Sequence, residues 1–575
     1  MSKKILGLHG YSYLETNRVV HNSSIALLDD RGAVLFATEE ERLSRDKNDG
    51  RFPSCTLQAW ADDIPSDIEV AWVGTLKLQQ MMDNWLNFYL WLKEVQSLRG
   101  MVYFAGKFFE YFVIASKELI FQQRRLPPHL SSRPCHRVLH HEAHAASAYY
   151  CSPWSDKTQL VITLDGNGDG HSGSIWRAQT GHMDCLATLP YAHSIGIVYT
   201  AWTEFLGFKA HRHEGKIVGL AAYGNGEPLS KKLLSLLTWK HDLPYFNGAL
   251  SRIAFRKFSA EDMRDMVVGL KDEDIAAGIQ VFAEVVVTEL VQRWVNKTGI
   301  GLLALAGGVF ANVKLNQRIM ELDVVNNVYI HPNMGDGGLA VGACLATMAR
   351  QQEGLSPRFL DSVYLGYQIT SEGAQAAIVA QGLQGVQPVN LAYEAAQLLA
   401  AGKVVARAGG RMEYGPRALG NRTLFASCDD PKINQWLNDK LQRTEFMPFA
   451  PIIMAEHAAE YFPAWKPEHI AARFMTVTYD VSAVAKKHIP AAVHIDGTAR
   501  PQVLRCEDNP EVHALLKAYY KITGVPALIN TSFNMHEEPI VCNEEDAVRA
   551  YVAGGLDALI CADWLVINKQ GYTLK

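Results

Sequence analysis

Two stretches of this chain repeat one strand–turn–strand design, and that repetition limits the fold more than any other feature. The first joins KILGLHG (4–10) to SSIALLDDRGAVLFATEE (23–40), where apolar runs flank an Asp-Asp-Arg-Gly turn. The second is QLVITLDGNGDGHSGSIWRA (159–178), again with apolar runs around a Gly/Asp-rich bend. Helical sequence follows each copy. A β-ribbon that recurs with its helices predicts an internally duplicated α/β domain.

Between Leu302 and Ala349 the order is strand (LLALAGG), helix (VFANVKLNQRIME), strand (NNVYIHP), Gly-rich turn (NMGDGG) and small-residue helix (LAVGACLATMA). Glycines sit where strands hand over to helices, as α/β units require. A linker-like stretch, QQEGLSPR (351–358), follows, and beyond it GKVVARAGGR, PALINTSFN and LDALICADWLVIN read as the strands of another α/β block. At 575 residues the chain exceeds what one core can organise. The boundary is set near Pro357, giving domains 1–358 and 359–575.

Charge and cysteine usage exclude several classes. A net charge of -5 with no run of like charge argues against a broad nucleic-acid-binding face. The nine cysteines form no C-x-x-C pair, which fits a reduced, cytoplasmic setting better than a disulfide framework or zinc ribbon. The apolar run in MSKKILGLHGYSY is too short for a signal peptide. An aromatic insert, about 82–125, is densest from Trp85 to Phe121, but Lys93, Glu94, Arg99, Lys107, Glu110, Lys117 and Glu118 interrupt it. No membrane span is expected there; amphipathic helices packed on the protein or a partner subunit are. A homodimer is the commonest default for a chain of this kind.

Two clusters carry chemistry. In VLHHEAHAASAYY, His140 and His144 are one helical turn apart, so both imidazoles project from one face and can share a cation. Such a pair alone is more often a buried or solvated couple. Asp165 in LDGNGD and Asp336 in GDGG add two carboxylates on Gly-flanked turns, a mixed N/O set suited to Fe(II), Mn(II) or Zn(II). The acidic turns could instead hold Mg with nucleotide phosphates. AGGVFAN, with Gly307, Gly308 and Asn312, offers backbone N–H groups at a helix start, as does Gly335 beside Asp336; Lys216 opens another Gly-punctuated run.

In the second half, GGRMEYGPRALGNRTLF (409–425) sets Arg411, Arg417 and Arg422 in a Gly/Pro-bent loop. Lys440, Arg443, Arg500 in DGTARPQ, and Asn530 and Ser532 in INTSFN follow. Arginines grip phosphates bidentately, and Asn and Ser complete such sites with neutral hydrogen bonds. A small phosphorylated substrate or nucleotide is the ligand this pattern suits.

HHEAHAASAYY, LDGNGD, KIVGLAAYG, AGGVFANVKLN, GDGG, GRMEYGPRALGNRTL, EFMPFAP, ARPQ and INTSFN occur in an order that resembles one family. It is that of the nodulation-factor and antibiotic O-carbamoyltransferases, which includes the cephalosporin and tobramycin enzymes. The likeness runs from His9 to Asn568. It implies a first domain of the actin/sugar-kinase superfamily, like the threonylcarbamoyl-transferring proteins of tRNA modification. It implies a second, YrdC-like domain that forms carbamoyl-adenylate.

The resemblance also implies roles. Arg417, Arg500, Asn530 and Ser532 match positions that bind ATP, with its Mg, and carbamoyl phosphate; Arg411, Arg422 and Arg443 are helpers. His140, His144, Asp165 and Asp336 match metal ligands, usually for iron. Lys216, Gly307, Gly308, Asn312 and Gly335 fall where carbamoyl-adenylate is held. His21 matches the base that takes a proton from the hydroxylated small-molecule acceptor. The chain departs at Met447, where the family often has Arg, and the spacing from Lys440 to that motif is one residue longer; Arg443 is the alternative to Lys440.

Two other readings share parts of this pattern. A tRNA threonylcarbamoyl-type enzyme shares both domain types but calls for a basic RNA-binding face. An actin-superfamily small-molecule kinase explains Asp165 and the Gly-rich turns, yet gives no task to the His pair or the arginines.

Overall fold

The repeated ribbons become the antiparallel arms of two five-stranded sheets. The computed structural model describes residues 4–10, 21–73, 126–254, 260–352, 354–441 and 446–568, so the aromatic insert lies outside the described residues. The first sheet contains β1 (Ile5–His9), β2 (Ser24–Leu28), β3 (Val34–Glu39), β4 (Glu69–Val73) and β5 (Cys135–Val138), in the order β3-β2-β1-β4-β5. Strands β3, β2 and β1 pair antiparallel, whereas β1, β4 and β5 pair parallel.

The second sheet comprises β6 (Gln159–Gly168), β7 (His171–Gln179), β8 (His182–Pro190), β11 (Leu302–Ala306) and β12 (Asn327–Ile330). Its order is β8-β7-β6-β11-β12, antiparallel through β6 and parallel from there on. A hairpin of β9 (Leu237–Lys240) and β10 (Leu243–Phe246) stands apart. The same order and the same switch of direction in both sheets make the duplication explicit. The first unit is thus an actin/sugar-kinase-like duplicated α/β fold.

Local chemistry fixes these elements. Asp29 Oδ1 accepts the backbone N–H groups of Arg31 and Ala33 (2.9 and 2.8 Å), closing the DDRG turn between β2 and β3. The parallel strands β1 and β4 are buried on both faces, which is why they read as near-continuous apolar runs. Small residues let helices His140–Tyr150 and Leu339–Gln351 approach closely. A Cβ on Gly342 would lie 1.9 Å from the Ala143 carbonyl oxygen.

Two compact units emerge: Met1–Glu40 with Asn48–Leu360, and Glu41–Lys47 with Asp361–Lys575. Position in the sequence put Glu41–Lys47 in the first domain, but its contacts are with the second. Arg42 Nη2 donates to the Gly415 carbonyl (2.9 Å), and Arg45 donates to the carbonyls of Ile540 and Pro539 (2.8 and 2.9 Å). No helix among the described residues is long and apolar enough to cross a membrane.

The second unit is a mixed α/β domain built on an eight-stranded sheet. From edge to edge it runs β14 (Gly385–Val386), β24 (Trp564–Ile567), β23 (Ala558–Cys561), β15 (Val405–Ala408), β17 (Arg422–Ala426), β22 (Ala527–Ser532), β18 (Ala450–Met454) and β21 (Gln502–Leu504). Smaller ribbons pair β13 (Tyr364–Gln368) with β16 (Arg411–Glu413), and β19 (Tyr479–Asp480) with β20 (Thr498–Ala499). Val405, Phe425, Ile452, Leu528 and Ile560 of the sheet pack against Leu399, Leu515, Leu516 and Tyr519 of helices Leu391–Ala400 and Pro510–Thr523.

Candidate metal centre and arginine loop

Helix His140–Tyr150 begins where β5 ends, and no side chain of its own N-cap residue, Leu139, closes it. Asp169 does so from the β6–β7 bend: its Oδ2 accepts the His140 backbone N–H (2.7 Å). That bond seats the first turn of the helix against Asp165 at the end of β6.

His140, His144, Asp165 and Asp336 converge, each offering one ligand atom, with all four atoms within 4.8 Å of one another. The two Nε2 atoms are 3.1 Å apart, and Asp165 Oδ2 lies 3.3 Å from that of His140 and 3.1 Å from that of His144. Asp336 Oδ1 stands 3.5 and 3.6 Å from the same two nitrogens. This oxygen is buried with no hydrogen-bond partner among the described residues. A cation would satisfy it, and two imidazoles with two carboxylates make an N/O set fit for Fe(II), Mn(II) or Zn(II).

The electrostatics agree with that fit. Burial alone would lower the His140 imidazole, but Asp336 and the Asp165 hydrogen bond outweigh it and raise its pKa to about 9. Burial likewise opposes ionisation of Asp165 and Asp336, yet the two histidines hold both below the usual carboxylate range. The ring between them in the sequence serves otherwise. His141 Nε2 donates to the His171 carbonyl (3.1 Å) while Nδ1 accepts from the Thr163 hydroxyl (2.9 Å), and burial keeps this ring neutral.

The remaining first-unit candidates take different places. His21 is at the rim, its Nδ1 3.8 Å from Asp336 Oδ2 and 3.1 Å from Asn22 Oδ1, with 34% of its side chain exposed. Gly308 is exposed beside the centre, a Cβ there falling 3.1 Å from Asp165 Oδ1. Gly307 has φ +108, and a Cβ would meet the Leu164 carbonyl oxygen at 2.1 Å, so only glycine fits where this turn crosses β6. The AGGVFAN segment forms a 3-10 turn, Gly308–Ala311, before helix Val313–Met320, rather than one helix. Asn312 caps that helix by accepting the Leu315 N–H (3.1 Å) and donates to Gln280 Oε1 (2.8 Å). Gly335 has open space where a Cβ would be, and Lys216 is a buried residue of helix Glu214–Ala221.

Sequence reasoning missed three groups here: Asp169, His9 and His331. Asp169 adopts φ +57, which suits the second acid of a GNGDG bend, so a signal for it existed. His9 and His331 are buried rings whose pKa values fall to about 4 and about 3, chiefly through desolvation. Neither has a recognisable spacing in the chain.

Gly168 gives the centre a sharp test. A Cβ there would lie 2.1 Å from His140 Cδ2 and 2.3 Å from its Cγ, so the imidazole must swing aside. Gly168→Ala should lower the cation affinity of the full chain by at least about tenfold, a loss typical of disturbing a ligand's support. Metal titration followed by elemental analysis reads this out; unaltered affinity would mean His140 is not a ligand.

In the second unit the arginine loop is folded around a group the sequence did not flag. Glu413 Oε1 accepts the backbone N–H groups of Leu419, Asn421 and Arg422 (2.8, 2.7 and 3.1 Å). Arg407, also unflagged, ties the same loop to helix Pro510–Thr523: it donates to the Gly420 carbonyl (2.8 Å) and pairs with Glu511.

Arg422 corrects the sequence reading. It is fully buried and donates to the carbonyls of Cys542, Gly409, Gly410, Asn421 and Tyr367 (3.0, 3.0, 3.4, 3.0 and 2.9 Å), which leaves no face for a phosphate. Arg411 directs Nε and Nη2 to the carbonyls of Gly366 and Leu365 (3.3 and 2.6 Å). Asn530 is likewise buried, donating to the Ala418 carbonyl and Gln502 Oε1 (3.1 and 2.6 Å) and accepting from the Thr423 hydroxyl (3.0 Å). Ser532 donates to Asn534 Oδ1 (2.7 Å). Arg417 sits half-buried in the loop, Arg500 is half-buried just after β20, and Lys440 ends helix Lys432–Lys440 with its ammonium 5.6 Å from the Trp436 ring centre. Arg443 lies outside the described residues.

Two family models match the chain: carbamoyltransferase N-terminus over residues 4–345 and carbamoyltransferase C-terminus over residues 396–568. An uncharacterized protein of Synechocystis sp. is 30% identical over 98% of this chain and 96% of its own length. One from Methanocaldococcus jannaschii is 29% identical over 95% of this chain and 98% of its own. Nodulation protein NolNO of Sinorhizobium fredii is 30% identical over 97% of this chain and 81% of its own.

Proposed function

The chain belongs to the carbamoyltransferase family, and from that premise we propose an ATP-dependent O-carbamoyltransferase acting on a small-molecule hydroxyl. The convergence of His140, His144, Asp165 and Asp336 carries this reading, because a cluster fit for a metal ion is a feature that a nucleotide fold alone does not need.

In the second unit water hydrolyses carbamoyl phosphate to carbamate and inorganic phosphate, and a carbamate oxygen attacks the α-phosphorus of MgATP, displacing pyrophosphate. Carbamoyl-adenylate and pyrophosphate result. Arg417 and Arg500 would neutralise the phosphates in this step. Arg411 and Asn530 shape the loop that presents Arg417, on the bonds described above, and Ser532 and Lys440 remain candidates for direct contact.

In the first unit the adenylate is consumed: acceptor oxygen bonds to the carbamoyl carbon, and AMP leaves. Fe(II), Mn(II) or Zn(II) held by the four ligands would supply a Lewis acid for the carbamoyl carbonyl. His21, half-exposed at the rim, takes the acceptor's proton, and Asp336 beside it stabilises the imidazolium that forms. Backbone groups at Gly308 and Gly335, with Asn312 and Lys216, hold the nucleotide portion, while Gly307, whose N–H donates to the Met334 carbonyl (2.6 Å), shapes the turn. Natural products and glycosides are the acceptor class favoured.

The test incubates metal-loaded full chain with carbamoyl phosphate and ATP, follows pyrophosphate, then screens hydroxylated acceptors for carbamoyl addition by mass. Pyrophosphate release that requires carbamoyl phosphate is expected. ADP as the nucleotide product, or no pyrophosphate from active-metal protein, refutes the reading.

A further inference from the structure

His9 is left without a task by this scheme. It ends β1, is 3% exposed, and neither ring nitrogen has a hydrogen-bond partner among the described residues. A buried imidazole with both nitrogens idle is unfavourable unless a partner is supplied. The nearest acidic group is Asp336, whose Oδ2 lies 3.9 Å from His9 Nε2.

The two oxygens of Asp336 face different neighbours. Oδ1 is turned to His140 and His144, whereas Oδ2 is turned to His9 and His21. His9 is not among the four mutually close ligand atoms, so it is not arranged as a fifth ligand. Nor is it arranged to meet an acceptor, because it is buried where His21 is half-exposed.

We propose that His9 is a positioning residue whose Nε2–H donates to Asp336 Oδ2 once a cation occupies the centre, keeping Oδ1 aimed at that cation. Closing 3.9 Å to hydrogen-bond length takes about 1 Å, within reach of a carboxylate drawn toward its ligand. A donor on the far oxygen fixes the carboxylate's rotation, and such outer partners set metal affinity nearly as strongly as the ligands do. This inference rests on the metal reading above.

Metal-stripped full chain, as wild type, His9→Leu and His9→Gln, is titrated anaerobically with Co(II) chloride and followed by d–d absorption. Leu should weaken Co(II) binding by roughly 10–100-fold and shift the bands. Gln, whose amide N–H can still reach Oδ2, should regain most of the affinity. Wild-type affinity and spectrum in His9→Leu overturn the inference, as does a Gln variant no better than Leu. Should Leu fail to fold, His9→Ala is titrated with the same two readings. No Co(II) binding by the wild type would sink this inference together with the metal reading; unaltered binding in the variant sinks this one alone.

Discussion

His140→Ala is expected to abolish carbamoyl transfer while leaving carbamoyl-phosphate-dependent pyrophosphate release intact, and Arg417→Ala to do the reverse of sparing it. The ligand set tolerates little loss, because its members are close together and buried or half-buried. Removing Lewis-acid stabilisation of the carbonyl forfeits several kcal/mol, on the order of a thousandfold in rate. Arg417 lies in the other unit, in the loop shaped by Glu413, so its truncation should stop adenylate formation and hence everything after it. Supplying chemically made carbamoyl-adenylate separates the steps: it should restore transfer to Arg417→Ala and not to His140→Ala. Elemental analysis should find the metal lost only from the histidine variant. Transfer activity surviving in His140→Ala, or rescue of the histidine variant by the adenylate, would undo the division of labour.

What could be read in the chain, and what could not, follows from how local each feature is. The ribbons were legible because a strand pair with its turn is contiguous: DDRG closes through Asp29 and its own near neighbours. The third strand of the second copy, β8, was not, since HMDCLATLP is mostly exposed and lacks an apolar run. His140 and His144 were legible as a helical pair, but their meeting with Asp336 depends on a helix–helix approach that only small residues such as Gly342 permit. His9 was invisible for the complementary reason: a polar residue ending a buried strand has no pattern until Asp336 is opposite it. Glu41–Lys47 was assigned to the wrong unit because chain position says nothing of which carbonyls Arg42 and Arg45 will find. Arg411 and Arg422 are expected as helpers at a phosphate, yet both guanidiniums bind backbone carbonyls. Sequence cannot separate an arginine that grips phosphate from one that binds carbonyls, since both need the same fork of donors.

Arg422 makes that distinction measurable, through the largest stability change expected in the second unit. Its five donor contacts join Tyr367 of β13, Gly409 and Gly410 after β15, Asn421 within the loop, and Cys542 beyond β22. Burial pushes the guanidinium pKa down, and Glu413 nearby offsets that in part. Arg422→Met keeps much of the volume but removes a donor from five carbonyls, of which those of Asn421 and Gly410 retain the backbone N–H groups of Gly409 and Ile369. Breaking a buried charged network in this way costs about 3–5 kcal/mol, or roughly 6–20 °C in the midpoint of a domain this size. Arg422→Lys restores a charge but not the fork, so it should recover well under half of the loss. Differential scanning calorimetry of the full chain, reading the transition that carries the second unit, provides the measurement. A Met variant that melts with the wild type yet loses pyrophosphate release would return Arg422 to the ligand site. If instead stability falls and the surviving folded fraction still forms adenylate, Arg422 is a scaffold for Arg417, and the phosphate contacts must come from Arg417, Arg500 and their neighbours.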